Sequence, residues 1–360
     1  MTISRRKFIT GGIVTACAAA AAIGGGGIVR GIIDKEKPGK TKVPGVIRPA
    51  TKDKAPAADA QSPRYLDLEK NGELARREAA LWAMMERCRL CPRNCSVNRA
   101  AGMTAACRSG DKFKVSSFGP HFGEEAPLRG THGSGTIFFS NCNLLCVFCL
   151  NWQTNHRGDG EYTTHAELAD MMLDLQRRGC HNINLVTPTH LVPHIVKALR
   201  IAIAGGLHLP LLYNSSGYES LETVKLLDGI VDVYLPDFKY QDSELAARFS
   251  QGAPNYVQHA AAAIKEMHRQ VGTLQTDGNG IATRGLLIRH LVLPENVAAT
   301  DKFVKWVVAE LGPDTHVNIM SQYRPMFQAR NYPPLDRPVT QAEFAQAMRW
   351  AYDAGLKNFH

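Results

Sequence analysis

The sequence contains no block of five or six charges of one sign. Its net charge is +9, but Arg5, Arg6, Lys7 and Arg30 lie in the first 33 residues, where no acid offsets them. Removing these four charges from +9 leaves +5, which is ordinary for a chain of 360 residues. Because the other basic residues are scattered, nothing supports nucleic-acid binding. A hydrophobic content of 44% is enough for one large core and a smaller module.

One group of cysteines has one member too few for an ordinary iron–sulfur site. Cys142, Cys146 and Cys149 lie within eight residues. Since a four-iron cluster is normally held by four thiolates, three would leave one iron open to bind a small molecule. Buried apolar cysteines, disulfides, or a zinc site with a fourth ligand from elsewhere are the alternatives. The spacing favours the open cluster.

The first 33 residues resemble a twin-arginine export signal. Ser4-Arg5-Arg6-Lys7-Phe8 precedes an apolar run, rich in Ala and Gly, that reaches Gly27. This route carries proteins that fold before crossing, which suits an assembled cluster. Four consecutive glycines at 24–27 argue against a buried helix. We expect recognition by the twin-arginine translocase and a periplasmic or membrane-anchored protein, or a cytoplasmic one if the signal is not functional.

Three fates of this segment stay open: lipidation at Cys17, plain cleavage after the alanines, or retention as an anchor running to Ile33. The N-terminal segment could thus associate the protein with a membrane. Residues 34–63 are rich in Lys, Pro and Ala and have no apolar periodicity. This composition predicts a flexible linker.

A second cysteine group lies upstream of the first. It comprises Cys88, Cys91, Cys95 and Cys107, with Pro92 and Gly102 to bend the loops. Four thiols within twenty residues suit a closed, four-coordinate metal site. Disulfides are the alternative, because export leads to an oxidising compartment. The short Cys88–Cys91 spacing and folding before export favour metal, with zinc and a second Fe–S cluster both open.

Short apolar strands alternate with helical patterns along the rest of the chain. Strands are predicted at 136–140, 182–186, 211–214, 231–235, 286–293 and 317–320, and helices at 166–177, 193–204, 221–227, 260–271 and 303–311. This order predicts an α/β fold with one parallel sheet curled into a partial or full barrel. We expect a Cys-rich module at 64–130, this core at 131–330 and a C-terminal helical segment at 331–360.

Polar residues stand at the ends of five of these strands, at 187–190, 214–218, 237–239, 289–290 and 321–323. Working residues of parallel α/β folds lie at the carboxyl ends of strands. Turn chemistry explains any one of these stretches, but five in the same register favour a functional site.

In combination, the motifs resemble the pyruvate formate-lyase activating enzyme-like branch of the radical S-adenosylmethionine (SAM) superfamily. The likeness covers about residues 88–325, and it is carried by the stretches 88–95, 120–125, 133–140, 142–149, 181–190 and 237–239. The resemblance implies a partial (β/α)6 barrel and a [4Fe-4S] cluster on Cys142, Cys146 and Cys149. It also implies SAM bound to the open iron through its amino and carboxylate groups.

The same resemblance implies an enzyme. An electron from the cluster would cleave SAM to methionine and a 5′-deoxyadenosyl radical, which abstracts hydrogen from a substrate. The sequence does not select the substrate, a small molecule or a protein, and activation of a glycyl-radical enzyme is one such activity. A flavodoxin- or ferredoxin-like electron donor is the expected partner.

Several residues are candidates to contact SAM, although no catalytic residue is assigned. Asp237 would accept from the ribose hydroxyls and Lys239 would meet the carboxylate, the alternative being a surface ion pair. Phe148 would pack near the adenine or shield the cluster. Relatives carry a Gly-Gly-Glu-like segment where this chain has Thr187-Pro188-Thr189, and Gln where it has Leu150. The remaining candidates are Asn151, Asn214, Ser216 and Arg289.

Five further residues are candidates to line the substrate space: His190, Tyr218, His290, Gln322 and Tyr323. Cys180 follows the trio and is predicted to be buried core. A second hypothesis for the whole chain is an exported Fe–S electron-transfer or metal-binding protein without SAM chemistry, because SAM and strong reductants are not expected outside the cytoplasm. The open iron and the Asp237-x-Lys239 pattern argue against it.

Overall fold

The structure is a computed structural model that describes residues 62–360, and these belong to one compact unit. The predicted export signal, Cys17 and nearly all of the predicted linker lie outside the described residues. Among the helices between residues 62 and 360, none has the length and apolar character needed to span a membrane.

The centre of the fold is a mostly parallel sheet. Its strands are β1 (Phe113–His121), β2 (Ser134–Phe139), β3 (Glu161–Thr163), β4 (Ile183–Val186), β5 (Leu211–Ser215), β6 (Val233–Pro236), β7 (Gln275–Thr276), β8 (Ala282–Leu291), β9 (His316–Met320) and β10 (Asn358–Phe359). Their order is β10-β9-β8-β6-β5-β4-β2-β1-β3, with β7 beside β8. All pairs from β2 to β10 along this order are parallel.

Helices connect the parallel strands. They are α1 (Tyr65–Lys70), α2 (Glu73–Glu86), α3 (Ala126–Arg129), α4 (His165–Arg177), α5 (Val192–Ala204), α6 (Leu221–Leu226), α7 (Ser243–Phe249), α8 (Tyr256–Val271), α9 (Thr300–Leu311) and α10 (Gln341–Asp353). Capping boxes start α4, through Thr164 and Glu167, and α10, through Thr340 and Glu343. Pro193 stands in the first turn of α5, where no amide donor is needed.

The predicted α/β fold is confirmed, and each predicted strand and helix is present to within a few residues. The sheet is not entirely parallel, however, because β1 runs antiparallel to β2 and β3 antiparallel to β1. The stretch 64–130 is therefore joined to the core by strand pairing. The sequence prediction missed β1 because a register shift between Val115 and Ser117 breaks its alternating pattern.

A small apolar cluster on the sheet contains Leu128 of α3 together with Leu212, Val233, Leu235 and Leu287. The Asn182 side chain, just before β4, donates to the Leu128 carbonyl at 2.7 Å. Thus α3 covers the barrel near the starts of the parallel strands. The carboxyl ends of the strands are left to carry the site.

Candidate active site

The loop that carries Cys142, Cys146 and Cys149 begins directly after β2. Cys142 and Cys146 are buried, Cys149 is partly buried, and all three are free thiols. Two residues with left-handed backbone, Asn141 (φ 72°) and Leu145 (φ 61°), wind the loop tightly. The Asn141 amide donates to the Thr154 carbonyl at 2.9 Å, which holds the loop against the π-helical turn that follows it.

Each sulfur of this trio receives a hydrogen bond. The donors are the Leu144 amide to Cys142 at 3.3 Å, the Ser250 hydroxyl to Cys146 at 3.4 Å, and the Asn155 side-chain amide to Cys149 at 3.3 Å. Such donors stabilise thiolates, and in iron–sulfur proteins they help to set the cluster's potential. The donor set therefore fits a cluster held at three corners.

Burial raises the pKa of the Cys142 thiol to about 11 and that of Cys149 to about 12, and the neighbouring thiols add to the rise at Cys149. A metal must displace these protons to bind. Within residues 62–360, no three His, Cys, Asp or Glu side chains stand in a group that could hold a metal ion. Metal binding therefore requires the thiols of either cysteine group to turn toward a common point.

Asp237 and Lys239 follow β6 and form an ion pair with 2.6 Å between Lys239 Nζ and Asp237 Oδ2. Their side chains are only 21% and 16% exposed, so this pair is not the surface contact of the alternative interpretation. Burial alone would lower the pKa of Lys239, but the negative charges of Asp237 and Cys146 outweigh it and raise the pKa. Lys239 is thus a buried cation beside the trio.

The loop after β5 brings Ser216 close to Asp237. The Ser216 hydroxyl oxygen is buried and has no hydrogen-bond partner among the described residues. Gly217 follows with φ +73°, and a Cβ there would lie 2.2 Å from the Asp237 carbonyl, so only glycine allows this approach. Buried polar groups are normally paired, so the orphaned hydroxyl suits a polar ligand. Asn214, two residues before Ser216, is half-buried near the end of β5.

Thr187 and Thr189 have different surroundings. Thr187 follows β4 in a left-handed conformation (φ 60°), and its amide donates to the Asn214 carbonyl at 2.9 Å. Strained residues of this kind cluster at functional sites. Thr189 instead donates its hydroxyl to Glu219 at 2.6 Å, as does Tyr213 at 3.1 Å. Because its hydroxyl is already bound, Thr189 is a weaker candidate than Thr187 for contacting SAM.

Arg289 is bound to two carboxylates. It contacts Glu124 and lies 2.6 Å from Glu125, which also accepts from the Asn318 side chain at 2.7 Å. Burial would lower the pKa of Arg289, but these two carboxylates raise it instead. The two glutamates follow β1, near one edge of the sheet. Arg289 and Asn318 lie on β8 and β9, near the opposite edge. This cluster holds the two sides of the open barrel together, which favours a structural role for Arg289.

Four of the five candidates for the substrate space are buried and make contacts within the described part of the chain. His290 stacks on Phe303 of α9 with ring centroids 4.1 Å apart. Side chains alternate along β8, so His290 faces the helices while Arg289 faces the interior. The others, His190, Tyr218 and Tyr323, bond to the carbonyls of Ser140, Pro254 and Leu335 respectively. Gln322 alone is exposed.

Phe148 packs edge-to-face on Tyr240 and Tyr323, with ring centroids 6.2 and 5.7 Å away. This packing favours the shielding role over an adenine contact. Asn151 and Leu150 are exposed. Cys180 is buried, as predicted.

In the second cysteine group, Cys88, Cys91 and Cys107 are buried, Cys95 is partly buried, and all four are free thiols. Burial raises the pKa of Cys91 to about 12, and the other three thiols are near enough to raise it further. The sequence analysis did not identify Arg93, which lies inside this group. Its guanidinium donates to the Asn143 carbonyl of the trio loop at 2.5 Å. No sequence signal could have found this contact, because its partner is 50 residues away.

A mostly parallel sheet with a three-thiol loop at its carboxyl edge is the feature to compare with known protein families. The radical SAM superfamily model matches residues 136–299. The protein MJ0674 of Methanocaldococcus jannaschii, described as uncharacterized, is 32% identical over 278 residues, 74% of this chain and 75% of the relative. The chain belongs to the radical SAM superfamily. Membership implies a [4Fe-4S] cluster and SAM.

Three solved structures are similar at low identity. HydG, a maturase of the [FeFe]-hydrogenase, aligns with a TM-score of 0.43 at 14% identity over 61% of this chain and 48% of HydG. TYW1 with a lysine–pyruvate adduct aligns with a TM-score of 0.40 at 10% identity, over 63% of this chain and 76% of TYW1. Methylornithine synthase (PylB) aligns with a TM-score of 0.39 at 14% identity, over 61% of this chain and 68% of PylB. This chain thus spans about half the length of HydG. Likenesses this weak say nothing about the substrate.

Proposed function

We propose that this chain is an enzyme that cleaves SAM at a [4Fe-4S] cluster held by Cys142, Cys146 and Cys149. The observation that carries the proposal is the buried Asp237–Lys239 pair beside the three-thiol loop. An electron carrier needs no buried cation next to its cluster. A SAM enzyme does, because the cofactor brings a carboxylate.

When bound, the cluster supplies the electron that cleaves SAM to methionine and a 5′-deoxyadenosyl radical, which takes a hydrogen atom from the substrate. Lys239 would bind the methionine carboxylate as a point charge. Asp237 would accept hydrogen bonds from the ribose, and the orphaned Ser216 hydroxyl would pair with the cofactor's polar groups. Thr187 and Asn214 supply further polar atoms at the neighbouring strand ends.

Phe148, Tyr240 and Tyr323 would exclude water from one side of the cluster. The Phe148 ring packs on both tyrosine rings within the core, and Tyr240 and Phe148 are almost fully buried. A dry environment strengthens the electrostatic contacts of bound SAM and protects a radical from side reactions.

We further propose the activating-enzyme branch of the family, in which the hydrogen is taken from a glycyl-radical-type enzyme. The motifs at 88–95, 120–125 and 237–239 support it. Electrons would come from a flavodoxin- or ferredoxin-like donor.

Export by the twin-arginine route is proposed from residues 1–33. A fusion of residues 1–40 to a reporter that is active only outside the cytoplasm tests this proposal. A silent reporter would contradict export.

The test of the main proposal is anaerobic reconstitution with iron and sulfide, followed by dithionite and SAM. We expect 5′-deoxyadenosine and methionine in equal amounts. A cluster that is spectroscopically intact but yields no 5′-deoxyadenosine would overturn the proposal in favour of an electron-transfer protein.

A further inference from the structure

Arg93 joins the two cysteine groups. It stands between Cys91 and Cys95, and its guanidinium donates to four main-chain carbonyls of the core. These are Asn143 at 2.5 Å and Leu144, Ser250 and Gln251 at 3.1 Å each. Arginine can fill this role because its planar fork presents five donors in a fixed geometry.

The four carbonyls lie next to the ligands of the proposed cluster. Asn143 and Leu144 are inside the trio loop, and the Leu144 amide donates to the Cys142 sulfur at 3.3 Å. The Ser250 hydroxyl donates to the Cys146 sulfur at 3.4 Å. By binding both segments, Arg93 keeps the donors to two sulfurs in register. It therefore acts on the cluster through the loop and not by direct contact.

The position of Arg93 depends on the chain turn that contains Cys88, Cys91 and Cys95 of the second cysteine group. The Cys88 amide donates to the Val97 carbonyl at 2.9 Å, and the Ser96 amide donates to the Cys88 carbonyl at 3.0 Å. Asn94 and Ser96 have left-handed backbone, with φ of 42° and 56°. These bonds place Cys88 beside Ser96 and Val97, so that residues 88–97 form a closed turn that carries Arg93.

A buried arginine, Arg99, joins this turn to the main chain that follows Cys107. Arg99 is 1% exposed and donates to the Ser109 carbonyl at 2.7 Å and to the His190 carbonyl at 2.8 Å. Its Nη1 lies 3.8 Å from the Cys88 sulfur. Arg99 therefore holds the Cys88 side chain close to the main chain that follows Cys107.

We propose that Cys88, Cys91, Cys95 and Cys107 bind one structural zinc ion, and that this ion positions Arg93 and through it the catalytic loop. Four thiolates complete the tetrahedral shell of zinc and leave no open position. Binding requires the four side chains to turn inward and release their protons. The role of Arg93 rests on the proposed function of the trio.

The test compares R93Q with R89Q in the full chain. Arg89 lies in the same turn, between Cys88 and Cys91, but its guanidinium is exposed and forms an ion pair with Glu222 instead of contacting core carbonyls. Zinc and iron per chain are measured after anaerobic purification, together with the electron paramagnetic resonance (EPR) spectrum of the reduced cluster. The double variant C91S/C95S removes the zinc site.

In the wild type and R89Q we expect about one zinc and about four irons per chain. In R93Q we expect zinc to stay while the EPR spectrum changes and iron falls by about half or more, because two sulfur donors lose their register. In C91S/C95S both metals should fall. Retained zinc shows that R93Q is folded.

Three results would overturn the inference. One is a wild-type cluster spectrum and iron content in R93Q. Another is loss of zinc from R93Q, because Arg93 would then support its own turn and not the trio loop. The third is wild-type protein without zinc, or with about eight irons per chain, which would indicate a second Fe–S cluster. Failure of the proposed function is a separate result: intact cluster and no 5′-deoxyadenosine in the wild type.

Discussion

Lys239 Nζ lies 2.6 Å from Asp237 Oδ2 in a mostly buried ion pair beside the three-thiol loop. Burying such a pair is costly unless further interactions repay it. Asp237 also belongs to the sheet, since its amide donates to the Ser215 carbonyl at 2.9 Å. A charged pair held so firmly at the carboxyl edge of a parallel sheet is typical of a ligand site.

Replacing Lys239 with methionine is expected to weaken SAM binding about 10- to 100-fold, because a hydrogen bond to a charged group contributes about 1.5–3 kcal/mol. Methionine fills similar space without charge. Equilibrium SAM binding to the reconstituted protein measures the change. Lys305, exposed on α9, provides the control K305M, which should bind SAM as the wild type does. Equal affinity in K239M and the wild type would exclude Lys239 from the cofactor site.

Replacing Cys142, Cys146 or Cys149 with alanine is expected to abolish the cluster, with a loss of about four irons per chain. The charge-transfer absorption of the cluster should disappear with the iron. C180A is the matched control, since Cys180 is equally buried but lies outside both groups. It should keep its iron and lose only about 1 kcal/mol of stability. If only C180A lost its iron, the cluster would have to be reassigned away from Cys142, Cys146 and Cys149.

Removing the Arg289 charge is expected to destabilise the fold and spare the cofactor. In R289Q, Glu124 and Glu125 would remain buried without their cation, which costs about 3–5 kcal/mol of unfolding free energy. Urea unfolding measures this change. SAM affinity should stay within about threefold of the wild type, less than about 0.7 kcal/mol. A stable R289Q with much weaker SAM binding would instead make Arg289 a cofactor ligand.

Glu219 is expected to make stability depend on pH. Burial raises its pKa to about 7 in the folded protein, above the ordinary value of 4.5. The folded state therefore holds this proton more tightly than the unfolded state. The resulting stability is fully present below about pH 4.5 and is lost as pH rises through about 7. The size of this pKa shift limits the change in unfolding free energy to about 3 kcal/mol.

E219Q should flatten this dependence between about pH 5 and 8, measured as the difference in unfolding free energy from the wild type. E222Q, in which an exposed carboxylate is changed, should leave it intact. T189V should cost about 1–2 kcal/mol, because Thr189 donates to Glu219, and should leave SAM binding unchanged. Weaker SAM binding in T189V would restore Thr189 to the cofactor site.

The sequence alone determined the features that depend on local pattern. Three cysteines in eight residues, alternating apolar strands and helices, and polar residues at 237–239 follow from spacing and periodicity, which survive without tertiary information. The α/β fold, the short strands and the ion-pairing residues after β6 were all predictable in this way. The antiparallel β1 was not, because its register shift disrupts the period that would announce it.

Tertiary structure alone decided what the side chains contact. Thr189 looked like a ligand residue and is bound to Glu219, and Arg289 is held by Glu124 and Glu125 from more than 160 residues away. Arg93 reaches carbonyls about 50 and 157 residues along the chain. Spacing shows which residues share a loop or a strand face. Only the folded chain shows which distant partner already satisfies a charge or a hydroxyl, because that depends on how the strands are ordered around the barrel.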